Sequence, residues 1–123
     1  MMKLNTIHKF WMKRIDHKYL KKQTKKVLIK YGANDFSAES VSKGLTETSL
    51  RGVDSHGIRL LPHYLNALKN GRINGDPKFT IIKTFPAFVG LQADNAFGHA
   101  AGFKSIEIGI DLANIYGIGA ISV

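Results

Sequence analysis

Apolar positions recur at three- and four-residue spacing through the first part of the chain, then at the alternating or continuous spacing of strands. From His17 to Tyr31, Leu20, Val27, Leu28 and Tyr31 fall on one helical stripe, with Lys21, Lys22, Lys25 and Lys26 largely off it as the wet face. Gly32 is a natural stop. A second helix is expected from about Ser37, whose hydroxyl can cap it; it carries Ala38, Val41 and Leu45 inward and runs to a loop at Arg51. A third follows, with Ile58, Leu61, Leu65 and Leu68 at helical spacing and Tyr64 beside them. Pro62 fits only in its first turn, which places the start near Gly57 or Ile58 and sets Ser55 and His56 at the N-terminus. Free N–H groups and partial positive charge there suit an anion.

Gly71 ends the third helix, and Asn74-Gly75-Asp76-Pro77 is turn chemistry that marks a boundary between sub-domains. Residues 79–84 and 87–92 read as strands separated by Phe85-Pro86. Asp94-Asn95 opens a loop, and residues 101–115 read as a helix that buries Phe103, Ile106, Ile110 and Ala113 before Gly117 closes it. Residues 118–123 read as a buried strand, on which the chain stops. Such a strand ordinarily leads to a covering element, so the 123 residues are expected to be the N-terminal piece of a longer protein. The expected division is a basic leader over 1–16, a helical portion over 17–76, and the start of an α/β domain over 77–123.

Charge changes the picture only at the N-terminus. Residues 1–30 hold ten of the 18 Lys and Arg but a single acid, Asp16, so that segment carries the whole formal charge of +9. Uniform basicity would favour a nucleic-acid partner. Basicity confined to one end fits a charged extension and a solvated helix face. The alternative is a stand-alone basic module that binds nucleic acid or an anionic membrane through residues 1–30. Residues 1–14 lack the long apolar stretch of a secretory signal; an organelle-targeting leader and a start codon set too far upstream both remain open. No apolar run is long enough to span a membrane. With no cysteine there is neither a disulfide framework nor a thiolate metal site, which fits a reducing compartment. The five histidines show no metal-ligand spacing.

Candidate chemistry concentrates in Arg51-Gly52-Val53-Asp54-Ser55-His56-Gly57-Ile58-Arg59. Gly52 and Gly57 let the polar groups converge in a tight loop. A guanidinium can clamp a carboxylate through two parallel hydrogen bonds, and an imidazole can exchange a proton near neutral pH. The bland reading is an exposed loop whose Asp or Ser caps the next helix. Gly117-Ile118-Gly119 precedes its strand and so is not a dinucleotide fingerprint. Gly98-His99-Ala100-Ala101-Gly102 lacks the Lys-Ser/Thr of a phosphate loop and reads as close helix–strand packing.

The run Leu50-Arg51-Gly52-Val53-Asp54-Ser55-His56-Gly57, continued by Leu61-Pro62-His63-Tyr64 and Gly71-Arg72-Ile73-Asn74, resembles the malate/L-lactate dehydrogenase family, which includes ureidoglycolate and sulfolactate dehydrogenases. Ala93 to Gly98 and Gly117 to Ala120 follow in the family's order. The resemblance implies an α/β (α+β) fold: a helical N-terminal portion, then a mixed-sheet, non-Rossmann nucleotide-binding domain, in a cytoplasmic homodimer. It implies an oxidoreductase that uses NAD or NADP on a small 2-hydroxy or 2-oxo acid, with no nucleic-acid or membrane partner. Ser55 and His56 are then the catalytic candidates and Arg59 the substrate-carboxylate candidate. The family's usual arginine stands three residues after the glycine. Here that position is Leu60, and Arg59 lies one residue earlier, about 100° around a helix. A second His-Gly motif, carrying the family's proposed acid/base histidine, comes beyond these residues, as do most cofactor-binding segments.

Overall fold

The computed structural model describes residues 14–123; most of the expected leader lies outside that range. Helix α1 spans His17–Lys30, and Asp16 caps it by accepting a hydrogen bond from the Tyr19 N–H at 2.8 Å. Thr24 and Leu28 are its buried residues, while Tyr31, expected on the inward stripe, is exposed just past the helix end. Gly32, at φ +98°, turns the chain. Helix α2 spans Asp35–Leu50. Its cap is Asn34, not Ser37: the Asn34 carboxamide oxygen accepts from the Ser37 N–H at 2.8 Å, which starts the helix two residues earlier than expected. Ala38, Val41 and Leu45 are fully buried.

Two of the α1 lysines are not simply solvated. Lys21 and Lys25 are half-buried and pair with Glu39 of α2, and Lys25 also reaches Asp35 at 2.9 Å. The Lys21 ammonium holds the Glu39 carboxyl below the usual range, and the hydrogen bond to Asp35 raises Lys25.

After the loop come two 3-10 turns, Asp54–His56 and Ile58–Leu60, and helix α3 spans Leu61–Lys69 with Pro62 in its first turn. The third helix thus begins later than expected, and Ser55 and His56 stand on a separate turn rather than at its N-terminus. The Asn74–Pro77 turn packs back on the α1–α2 junction. The Asn34 N–H donates to the Gly75 carbonyl at 2.9 Å and its side chain to Asp76 at 2.7 Å.

Strands β1 (Thr80–Phe85) and β2 (Phe88–Gln92) form an antiparallel hairpin with Ile82 opposite Gly90. Helix α4 (Gly98–Tyr116) crosses over to β3 (Ala120–Ser122), which pairs parallel to β2 with Val89 opposite Ile121. A helical region therefore leads into a mixed, non-Rossmann sheet of order β1-β2-β3. The core sits among α1, α2 and the start of α4, where Leu28, Ala38, Val41, Leu45, Phe97 and Ala100 are buried, with Tyr64 and Leu65 of α3 packed against them.

Two burial expectations fail. On α4 the buried residues are Ala100 and Ala101, whereas Ile106 and Ile110 are 64% and 55% exposed and Phe103 lies at the surface. Ala113 is only half-buried. The terminal strand is open too, with Ile118 and Val123 exposed and Ile121 half-buried. Periodicity identifies an apolar face but not what covers it. Among the described residues, α4 meets α2 through His99 and the β3 segment at Gly109, while the face carrying Ile106 and Ile110 is uncovered.

Candidate functional site

Three local devices hold the Arg51–Arg59 loop. Gly52, at φ +81°, makes the left-handed turn out of α2. Ser49, in the last turn of α2, accepts a hydrogen bond from the Ile58 N–H through its hydroxyl at 2.9 Å. Gly57 passes so close beneath it that a Cβ there would lie 2.1 Å from Ser49 Oγ and 2.9 Å from Ser49 N. The loop is thus pinned to α2 behind Gly57, while Asp54, Ser55 and His56 face outward on their turn.

Of the three predicted site residues, two are brought together. Ser55 Oγ lies 3.0 Å from His56 Nδ1. The hydroxyl can donate to the ring nitrogen, or accept from it in the other tautomer, so the pair can pass a hydrogen bond outward to a ligand oxygen. Arg59 sits on the next 3-10 turn; it is exposed and makes no hydrogen bond or ion pair among the described residues. Arg51, at the C-terminal end of α2, is exposed as well. The family implies a dinucleotide, and the loop does not by itself enclose one. It offers a hydroxyl, an imidazole and a guanidinium on open surface. Among the described residues no three His, Asp or Glu side chains group as metal ligands, and no helix is long and apolar enough to cross a membrane.

Sequence reasoning missed His99. This half-buried histidine opens α4 and stacks edge-on against Tyr64 with ring centroids 5.6 Å apart. It fills the gap left by Gly44 in the middle of α2, where a Cβ would lie 2.3 Å from its Cδ2. Burial holds its pKa below the usual histidine range. The glycines flanking it, Gly98 and Gly102, have open space around them, so the close packing expected of that segment belongs instead to Gly44. A glycine inside an otherwise regular helix was the available signal.

The malate/L-lactate dehydrogenase family profile matches residues 15–123. The chain is 35% identical over 98 residues to malate dehydrogenase of Pyrococcus abyssi, a match covering 80% of this chain and 27% of that protein. L-sulfolactate dehydrogenase of Methanocaldococcus jannaschii is 34% identical over 96 residues, 78% of this chain and 28% of the relative. The solved structure of malate dehydrogenase from Pyrococcus horikoshii superposes with a TM-score of 0.85 at 30% identity, over 89% of this chain and 31% of that one. The chain thus spans less than a third of the length of these relatives. Since the matched span takes in α1 to β3 and the whole Arg51–Arg59 loop, the chain belongs to the malate/L-lactate dehydrogenase family of oxidoreductases.

Proposed function

We propose that this chain is the N-terminal part of an NAD- or NADP-dependent oxidoreductase that interconverts a small 2-hydroxy acid and its 2-oxo acid, working as a cytoplasmic homodimer. The observation that carries the reading is the Ser55–His56 pair, coupled at 3.0 Å and presented outward on a loop pinned to α2 through Ser49 and Gly57. A bound nicotinamide would supply the hydride chemistry. The chain's own part is to bind and orient. Arg59 takes the substrate carboxylate, and Ser55 with His56 hydrogen-bonds the reacting oxygen or the cofactor. The histidine that moves the proton lies outside these residues. Cofactor-binding residues are likewise expected elsewhere, and the absence of cysteine supports a reducing compartment. Residues 1–30 as a surface for nucleic acid or an anionic membrane draw less support, because Lys21 and Lys25 are engaged by carboxylates of α2.

The test is made on the complete enzyme, this chain joined to the remaining family segments. Nicotinamide-linked oxidation of malate, lactate or sulfolactate is expected, and Ser55→Ala and His56→Gln should each cut it at least about tenfold. Wild-type rates in both variants would remove the loop from the site, and no turnover of any 2-hydroxy acid would sink the reading.

A further inference from the structure

The side of α3 that ends at Arg72 plays no part in the loop chemistry. His63, Asn66 and Asn70 stand at i, i+3 and i+7, so they share one face of the helix and its cap. The chain then reverses through Gly71 at φ +67°. The Gly71 N–H donates to the Leu68 carbonyl at 3.0 Å and the Arg72 N–H to the Ala67 carbonyl at 2.9 Å. This is a Schellman closure, which fixes where the Arg72 side chain begins. Its guanidinium lies back along the helix, with Nη2 3.0 Å from His63 Nε2. Together with Ala67, the four polar side chains line a cleft of about 170 Å³, room for a small ion rather than a nucleotide.

A guanidinium has only donors. The Arg72 contact therefore makes His63 Nε2 the acceptor. No carboxylate of the described residues lies within ion-pair reach of Arg72 or His63. Tyr64 meets the imidazole edge-on, with ring centroids 5.8 Å apart. A cation, an imidazole and two carboxamides thus converge on one cleft without a negative partner.

We propose that this cleft binds a small oxyanion, a carboxylate or a phosphate, held by Arg72, His63, Asn66 and Asn70. The anion replaces the Arg72–His63 bond. The guanidinium then donates to it in a charge-assisted bond, with the imidazole N–H and the two carboxamides as further donors. The inference is independent of the Ser55–His56 reading and can fail without it.

The experiment is calorimetric titration of the full-length polypeptide with inorganic phosphate and, separately, with malonate. Saturable binding of at least one of the two anions is expected. Arg72→Gln and His63→Gln should each weaken it about tenfold or more, and Arg72→Lys should keep part of it. Tighter phosphate identifies a phosphoryl ligand, and tighter malonate a carboxylate. No saturation by about 50 mM of either anion, or binding unchanged in both glutamine variants, would each overturn the proposal.

Discussion

Ser49 gives the Arg51–Arg59 loop its shape although it carries no chemistry there. Its hydroxyl satisfies the Ile58 N–H that the break between the two 3-10 turns leaves free, and Gly57 makes room for it. Gly57→Ala would force a Cβ against both the Ser49 hydroxyl and backbone, and backbone cannot swing away. The expected cost is about 1–3 kcal/mol of stability, read as a lower urea midpoint, with a displaced Ser55–His56 pair. An unchanged midpoint would show that the loop is not pinned as described. Arg59 carries a different wager. If its guanidinium holds the substrate carboxylate, Arg59→Ala in the complete enzyme should lose about 2–4 kcal/mol of transition-state binding, roughly 30- to 1000-fold in kcat/KM. Arg59→Lys should recover only part, since an ammonium lacks the fork. Should Arg59→Ala leave kcat/KM intact while Arg51→Ala abolishes it, the clamp belongs to Arg51.

At the scale of elements, two junctions respond to pH in the same direction for different reasons. His99 sits between α2 and α4 with its pKa lowered by burial. The unfolded chain takes up a proton there below about pH 6.5 while the folded one resists it. The stability from neutral His99 is therefore complete above that value and lost as pH falls through the lowered folded value. Comparing urea midpoints near pH 7.5 and pH 5, His99→Gln should show a smaller drop than the wild type; an equal drop would place the titration elsewhere. Glu39, lowered chiefly by Lys21, ties α1 to α2 and contributes above the ordinary carboxylate range, fading as pH falls below it. These junctions also show how far the sequence could be read. The three stops at Gly32, Gly71 and Gly117 were legible, because a left-handed turn favours glycine, and all three have positive φ. The inward residues of α2 were legible for the same local reason. The late start of α3 was not, since it depends on Ser49 meeting Gly57 across the loop. Nor was the Gly44–His99 contact, which joins residues far apart in the chain. At the candidate site the residue types were legible, and the Ser55–His56 contact was not, since neighbours in sequence more often point apart.

For the whole molecule the decisive feature is the uncovered apolar face. Ile106 and Ile110 on α4 are more than half exposed, as are Ile118 and Val123 beside β3, while Ile81, Ile82 and Phe85 are exposed on β1 at the other edge of the sheet. Apolar side chains at this density on a helix face and two sheet edges favour association, because each buried methylene gains roughly 0.8 kcal/mol and each open edge offers unpaired N–H and carbonyl groups. In the relatives more than two-thirds of the chain lies outside the matched region, and that is the material available to cover such a face. Prepared alone, residues 1–123 should therefore show no dehydrogenase turnover and should self-associate, with sedimentation coefficients that rise with concentration. Ile106→Lys combined with Ile110→Glu should shift the isolated chain toward monomer without changing its helix content, since neither side chain takes part in the core. In the complete enzyme the same pair should destabilise, because the two charges would then be buried against whatever covers α4. A wild-type chain that stays monomeric at high concentration, or a double variant neutral in both settings, would show that this face needs no cover.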